Sequence, residues 1–96
     1  MQKTQHLLNS LGELIKNTRS TSMDQKELGL RVGVGRNTIS SIENGKSVNA
    51  ESLFRVLEHL DLLDELQLIV DQKLALKASN LQRKSRKPRE ELNNDF

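Results

Sequence analysis

The chain contains no cysteine, tryptophan or tyrosine, and only one proline. Without cysteine it can hold neither a disulfide framework nor a cysteine-ligated metal site, and a reducing cytoplasm is permitted. No apolar run exceeds three residues, which excludes a membrane-spanning helix. Leu7 and Leu8 form the only apolar pair before Gly12, so we expect no signal peptide. Together these absences predict a cytoplasmic protein that does not associate with a membrane.

Catalytic and metal-binding patterns are also missing from the sequence. His6 and His59 are far apart, and neither has neighbours at metal-ligand spacing, so surface histidines are favoured over a metal site. Serine, histidine and aspartate occur, but nothing arranges them as a nucleophile and its base. We therefore expect no enzyme activity, no metal and no cofactor.

The 96 residues predict one small domain over 1–78, followed by a flexible basic tail over 79–96. The net charge of +2 is small but unevenly distributed. Residues 61–78 hold four acidic and two basic residues, whereas residues 79–96 hold five basic and three acidic ones. A weak overall charge is compatible with nucleic-acid binding, because affinity depends on a local basic surface that releases counterions.

Apolar residues recur at helical spacing, and no strand-like alternation is present, so an all-α fold with five helices is predicted. The first helix is expected over about residues 4–19, and its apolar face contains Leu7, Leu8, Leu11, Leu14 and Ile15. The second starts after Asp24, a candidate N-cap with Glu27 three residues on. The fourth starts after Asn49. Its predicted buried stripe contains Leu53, Val56, Leu57 and Leu60, with Phe54 alongside.

The segment 25–45, QKELGLRVGVGRNTISSIENG, predicts two short helices joined by a glycine-containing turn. Gly33 and Gly45 can take the left-handed conformation that ends each of these helices, and Gly35 can cap the start of the second one. Glycine inside a helix costs about 1 kcal/mol relative to alanine. We therefore attribute Gly29 to close packing against the next helix.

The second of these helices has one side without apolar residues. Ile39 and Ile42 face the core, which leaves four polar side chains facing outwards: Arg36, Asn37, Ser40 and Ser41. A helix that enters the major groove of DNA presents such a side. An arginine can hold guanine through O6 and N7, and an asparagine can hold adenine through N6 and N7. These residues predict a DNA-binding regulator.

The same segment resembles lambda-repressor/Cro-like helix-turn-helix domains of the XRE family. The resemblance covers roughly residues 8–62 and implies a compact five-helix lambda-repressor-like DNA-binding domain. The residues that carry it are Gln25, Glu27, Leu28, Gly33, Val34, Thr38, Ile39, Ile42, Glu43, Asn44, Gly45 and Lys46.

The resemblance implies that some residues contact DNA bases and others contact phosphates. Base contacts are implied for Arg36, Asn37, Ser40 and Ser41, and phosphate contacts for Gln25, Thr38, Asn44 and Lys46. One departure from the family concerns an arginine late in the first helix, which often pairs with the glutamate corresponding to Glu43. Thr18 occupies that place here and Arg19 follows it, about 100 degrees further round the helix. We therefore expect Glu43 to contact Lys46 or water.

The fifth helix is predicted after Asp61 and extends to about Lys77. Its apolar residues wrap more than one face, which is more apolar surface than one small core covers. A second copy of the chain is the simplest partner for this surface. We expect a homodimer through Leu62, Leu66, Ile69 and Val70, with its two recognition helices about 34 Å apart on a palindromic operator.

Other interpretations of the sequence remain. The segment 25–45 can be a helical hairpin without a DNA role, although such a hairpin has no need for the outward Arg-Asn-Ser-Ser face. Among regulators, one hypothesis is a transcriptional repressor. The alternative is an antitoxin of a type II toxin-antitoxin pair, similar to HipB-like proteins, that also neutralises a HipA-like toxin. For the basic run at 83–89, solvated charge, extra phosphate contacts and binding to an acidic partner remain open.

Overall fold

The computed structural model describes residues 2–84, with side chains described up to Asn80. This part of the chain forms five α-helices and no strand: α1 (Gln2–Ser20), α2 (Gln25–Val32), α3 (Arg36–Glu43), α4 (Ala50–His59) and α5 (Leu63–Lys84). The predicted all-α class is therefore confirmed. Within the same residues no helix is long and apolar enough to cross a membrane, and no group of three or more His, Asp or Glu side chains could hold a metal ion.

The helix starts follow the capping residues that the sequence predicted. The side chain of Asp24 accepts a hydrogen bond of 2.8 Å from the backbone N–H of Glu27 at the start of α2. The side chain of Asn49 accepts one of 3.2 Å from the N–H of Ser52 at the start of α4. These bonds satisfy amide groups that have no partner inside the helix.

The first four helices enclose one small core, which lies in the compact unit that ends at Asp64. Its buried members come from all four helices: Ile15, Leu28, Ile39, Ile42, Val56 and Leu57. Leu62 and Leu63 are partly buried against this core. The predicted dimer residue Leu62 therefore also packs within its own subunit.

The apolar face predicted for the first helix is only partly correct. Leu8 and Leu11 are half-buried and Ile15 is fully buried, whereas Leu7 is 60% exposed and Leu14 is 46% exposed. The close approach of α3 at Gly12 explains the difference. A Cβ atom at Gly12 would lie 2.5 Å from the backbone oxygen of Ile42. The inward face of α1 is therefore centred on Gly12 and Ile15, and Leu7 and Leu14 lie at its edge. In α4, Phe54 is likewise 45% exposed.

Helix α5 is longer than the sequence predicted. It continues to Lys84, whereas periodicity predicted an end near Lys77. Residues 78–84 are mostly good helix formers, so the helix does not need an apolar stripe to continue there. The first residues of the predicted tail, 79–84, are helical, and residues 85–96 lie outside the described part. The prediction of a flexible tail is therefore untested for residues 85–96. The same applies to the role of most of the basic run at 83–89.

Candidate nucleic-acid interface

The turn between α2 and α3 is built on glycine, as the sequence predicted. Gly33 has φ 78° and ψ 32°, a left-handed conformation that glycine adopts without steric cost. The backbone N–H groups of Gly33 and Val34 donate to the oxygen of Gly29 over 2.9 and 3.0 Å. A Cβ at Gly29 would lie 2.7 Å from the oxygen of Val34. Close packing therefore explains Gly29, as predicted, but the nearest contact is the turn residue Val34 rather than the next helix.

Helix α3 presents the two sides that its sequence predicted. Ile39 and Ile42 are buried in the core, and Arg36 and Asn37 at the start of the helix are exposed. Ser40 and Ser41 are half-buried, together with Thr38. The outward side of α3 is therefore exposed at its N-terminal end, whereas its serines further along are partly covered by neighbouring residues.

Gly35 caps α3 with its backbone only. It has φ −72° and ψ 154°, and α3 has no side-chain cap hydrogen bond. The backbone oxygen of Gly35 accepts from the N–H groups of Thr38 and Ile39 over 3.0 and 3.2 Å. A helix N-terminus without a side-chain cap has free amide donors and a partial positive charge that suit a phosphate group.

The end of α3 is held by its own backbone and by α1. Gly45 has φ 74°, and the N–H of Lys46 donates to the oxygen of Ser41 over 2.9 Å, which completes a Schellman motif. From α1, Nε2 of Gln5 donates to the oxygen of Gly45 over 2.9 Å and to Oδ1 of Asn9 over 2.9 Å. The contact between Gln5 and Gly45 was not predicted from the sequence, because the two residues are forty positions apart and no local pattern connects them.

Arg19 and Glu43 form a buried ion pair that joins the end of α1 to the end of α3, so the expectation that Glu43 contacts Lys46 or water is wrong. Nε of Arg19 lies 2.6 Å from Oε2 of Glu43, and Nη2 lies 3.1 Å from Oε1. The side chains are only 10% and 2% exposed. Nη1 of Arg19 also donates to the backbone oxygen of Met23 over 2.9 Å, in the connection between α1 and α2.

The sequence contained a signal for this pair. Gly12, Ile15 and Arg19 follow one another by three and four residues, so they share one face of a helix, and all three are buried. Because Gly12 and Ile15 define the inward face of α1, Arg19 points inward and Thr18 does not. Arg19 lies about 100 degrees round the helix from Thr18, but the face that it shares with Gly12 and Ile15 decides its contact with Glu43.

Gln25 extends the same network to the start of α2. Its Nε2 donates to Oε1 of Glu43 over 3.0 Å, and its side chain is part-buried. The implied phosphate contact of Gln25 stays a prediction. Its present contact holds the N-terminus of α2 against the end of α3, so that the two helices of the motif are linked by side chains as well as by the turn.

Residues 13–66 match the sequence pattern of the family described as Helix-turn-helix, which is more than half of the chain. The chain belongs to the helix-turn-helix family. This supports the resemblance to lambda-repressor/Cro-like domains that the sequence analysis described. No curated protein and no solved structure matches the chain significantly. Helix-turn-helix proteins of this family are DNA-binding transcription regulators. Membership of the family assigns the same general role to this chain.

Two grooves border the outward side of this helix-turn-helix unit. One lies between the starts of α2 and α3 and is lined by Arg19, Asp24, Gln25, Lys26 and Arg36. The other lies between α3 and the start of α4 and is lined by Asn37, Thr38, Ser41, Ser47, Val48, Asn49 and Ser52. Lys26, Ser47 and Ser52 were not among the predicted DNA contacts. Their position beside predicted ones makes them further candidates for phosphate contacts.

The exposed arginines of the domain differ from one another in their ion pairs. Arg31 pairs with Glu27 over 2.8 Å, and Arg55 pairs with Glu51 over 2.9 Å. Among the described residues, Arg36 and Lys46 form no ion pair and both are exposed. An unpaired surface cation is available to a phosphate or a base edge without first breaking a protein contact.

Proposed function

We propose that the chain is a sequence-specific transcriptional repressor that binds a palindromic operator as a homodimer, with α3 in the major groove. The observation that carries the proposal is the pair Arg36 and Asn37, exposed at the first turn of α3 while Ile39 and Ile42 anchor the same helix in the core. Such a helix can enter a DNA groove while its buried side chains keep their contacts in the core. The proposal also places the protein in the cytoplasm, in association with the nucleoid.

In this proposal the contacts have separate tasks. Phosphate contacts by Gln25, Thr38, Asn44 and Lys46 position the domain but carry no sequence information. Specificity comes from Arg36 and from the other predicted base contacts, Asn37, Ser40 and Ser41. Of these, arginine and asparagine make bidentate contacts, each contributing roughly 1–3 kcal/mol of discrimination.

Substitution of Arg36 tests this division. We expect Arg36→Ala to lower affinity for the specific site by about tenfold or more, and to lower affinity for random DNA much less, because a lost base contact matters only at the right base. The site itself comes from selection of bound duplexes in a random library at a stated salt concentration. Titrations with the selected duplex and a scrambled one measure both affinities.

Lys46→Ala is the matched control for Arg36→Ala, since Lys46 is an exposed cation with a predicted phosphate contact. It should weaken binding to both duplexes about equally and reduce the salt dependence of binding by roughly one counterion. If Arg36→Ala behaves in the same way as Lys46→Ala, Arg36 binds the backbone and the proposed readout by α3 is wrong.

The antitoxin hypothesis is a second candidate. It is favoured by the extent of apolar surface on α5, where Leu68, Leu74 and Leu76 are more than half exposed in addition to the residues predicted for the dimer. Co-purification of a larger protein from the native host would support it, and loss of that protein on deletion of residues 79–96 would locate the contact. If the chain represses its operator and no larger protein co-purifies with it, the antitoxin hypothesis is wrong and repression alone is the function.

A further inference from the structure

The peptide unit between Gly45 and Lys46 is held at both ends. The oxygen of Gly45 accepts a hydrogen bond of 2.9 Å from Nε2 of Gln5, and the N–H of Lys46 donates to the backbone oxygen of Ser41 over 2.9 Å. Because a peptide bond is planar, fixing its oxygen and its N–H fixes the orientation of the whole unit. The position from which the Lys46 side chain starts is therefore set by α1 as well as by α3.

The orientation of the Gln5 amide is determined by its partners. A backbone oxygen can only accept, so the group that faces Gly45 is the NH2 of Gln5 and not its carbonyl. The same nitrogen donates to Oδ1 of Asn9, four residues later on α1, over 2.9 Å. An amide NH2 has two hydrogens, and both are used here. The Gln5 side chain is thus held by α1 while it binds the turn after α3.

Helix α1 also limits the turn in the opposite direction. Gly45 is buried and has φ 74°. A Cβ atom on Gly45 would collide with Oδ1 of Asn9 and would lie 3.3 Å from its Cα. The turn therefore cannot move closer to α1, and the hydrogen bond from Gln5 opposes movement away from it.

The side chain of Lys46 begins over apolar residues and ends in solvent. It borders a small cavity whose other lining residues are Leu8, Leu11, Ile42, Val48 and Leu53. A lysine stem can lie along apolar surface while its ammonium group stays in water. Lys46 is exposed and forms no ion pair with the described residues. Its ammonium group is therefore available to a phosphate.

We propose that Gln5 is a positioning residue for DNA binding, which holds the peptide unit 45–46 so that Lys46 meets a phosphate from a turn that is already ordered. The proposal rests on the phosphate contact of Lys46 in the proposed function and adds a residue of α1 to it. Gln5 acts through Lys46 and does not itself contact DNA. A group that is ordered before association loses less conformational freedom on binding.

A role of Gln5 in stability alone is the competing explanation. The contacts between α1 and α3 also include the buried pair of Arg19 and Glu43 and the close approach at Gly12. Gln5 is exposed, so its substitution should leave the domain folded, which circular dichroism and thermal unfolding check. If Gln5 only stabilised the fold, the folded variant would bind DNA as tightly as the unmodified chain.

Gln5→Ala should lower affinity by about three- to tenfold, because the turn must then be ordered on binding. The loss should be equal on the selected and the scrambled duplex, since a phosphate contact carries no sequence information. The salt dependence of binding should fall towards that of Lys46→Ala. In a chain that already carries Lys46→Ala, the added Gln5→Ala should cost less than about twofold. Full additivity of the two losses would show that Gln5 does not act through Lys46 and would overturn the proposal.

Gln5→Glu removes the donor and keeps the length of the side chain. A carboxylate can only accept, and it would face the oxygens of Gly45 and Asn9, so affinity should fall at least as far as in Gln5→Ala. Gln2→Glu is the matched control, because it adds the same charge three residues earlier on α1. Equal losses in Gln5→Glu and Gln2→Glu would assign the effect to charge repulsion from DNA and contradict a positioning role.

Hydrogen exchange measures the turn without DNA. The amide hydrogen of Lys46 should exchange faster in Gln5→Ala than in the unmodified chain, because its peptide unit is then held at one end only. Unchanged exchange would show that the bond to Ser41 holds the unit without Gln5, and the proposal would be wrong.

The response of Lys46→Ala separates this inference from the proposed function. If Lys46→Ala binds both duplexes as tightly as the unmodified chain, the phosphate contact of Lys46 is wrong, and the role of Gln5 fails with it. If Lys46→Ala weakens binding while Gln5→Ala and Gln5→Glu do not, only the positioning role of Gln5 is wrong.

Discussion

At the scale of single residues, the buried ion pair of Arg19 and Glu43 connects α3 to the rest of the domain. It joins the ends of α1 and α3 through two hydrogen bonds, and Gln25 adds a third bond to the same carboxylate. A buried charge that loses its partner is strongly destabilising, whereas an exposed pair contributes little. The chain contains both kinds of pair and so allows a direct comparison.

We predict that Glu43→Ala lowers the free energy of unfolding by about 3–5 kcal/mol, because Arg19 is left buried without a counter-charge. Urea denaturation followed by circular dichroism measures the loss. Glu27→Ala, which removes the half-exposed pair with Arg31, is the control and should cost less than about 1 kcal/mol. Similar losses in both variants would contradict the role assigned to the buried pair.

At the scale of helices and turns, close backbone contacts determine how the elements cross. Glycine at position 12 lets α1 approach the backbone of Ile42 and Glu43, and glycine at position 29 lets α2 approach that of Val34. The capped starts of α2 and α4 and the glycine-marked ends of α2 and α3 were predictable from sequence, since caps and left-handed glycines act through bonds between neighbouring residues. The exposure of Leu7 and Leu14 was not, because it depends on which turn of α1 meets α3.

Gly12→Ala should therefore destabilise the domain by about 1–3 kcal/mol, the usual cost of overpacking, although alanine is the better helix former. The added Cβ would lie 2.5 Å from the oxygen of Ile42 and 2.9 Å from that of Glu43. Thermal unfolding compares it with Gly35→Ala, whose Cβ meets nothing within 4 Å, so that this variant loses only what alanine costs at an N-cap. A Gly12→Ala variant at least as stable as the unmodified chain would show that α1 and α3 can move apart.

At the scale of the whole molecule, the proposed readout of DNA by the eight-residue helix α3 depends on a second copy of the chain. A single such helix touches few base pairs, whereas a symmetric dimer doubles the contacts and reads two half-sites one helical turn apart. In the proposed dimer the second copy covers exposed apolar residues of α5, among them Ile69 and Val70. Dimerisation and operator spacing are therefore linked in this proposal.

We expect affinity for a selected palindrome to fall by about 100-fold when the half-sites are moved apart by half a turn, about five base pairs, since one of the two helices then faces away from its groove. Gel-shift titration over a series of spacers measures this. A duplex with a single half-site is the reference. Binding that does not depend on spacing, and that equals the single half-site, would contradict binding as a rigid dimer.

The sequence by itself determined the helix-turn-helix unit, its capping residues, its turn glycines and the inward positions Ile39 and Ile42. These features follow from hydrogen bonds and periodicity within a few residues of the chain. Only the tertiary structure decided that Arg19 reaches Glu43, that Gln5 clamps Gly45, and that Gly12 rather than Leu7 or Leu14 meets α3. Those contacts join residues 24 to 40 positions apart, and they depend on the angles and distances at which whole helices cross.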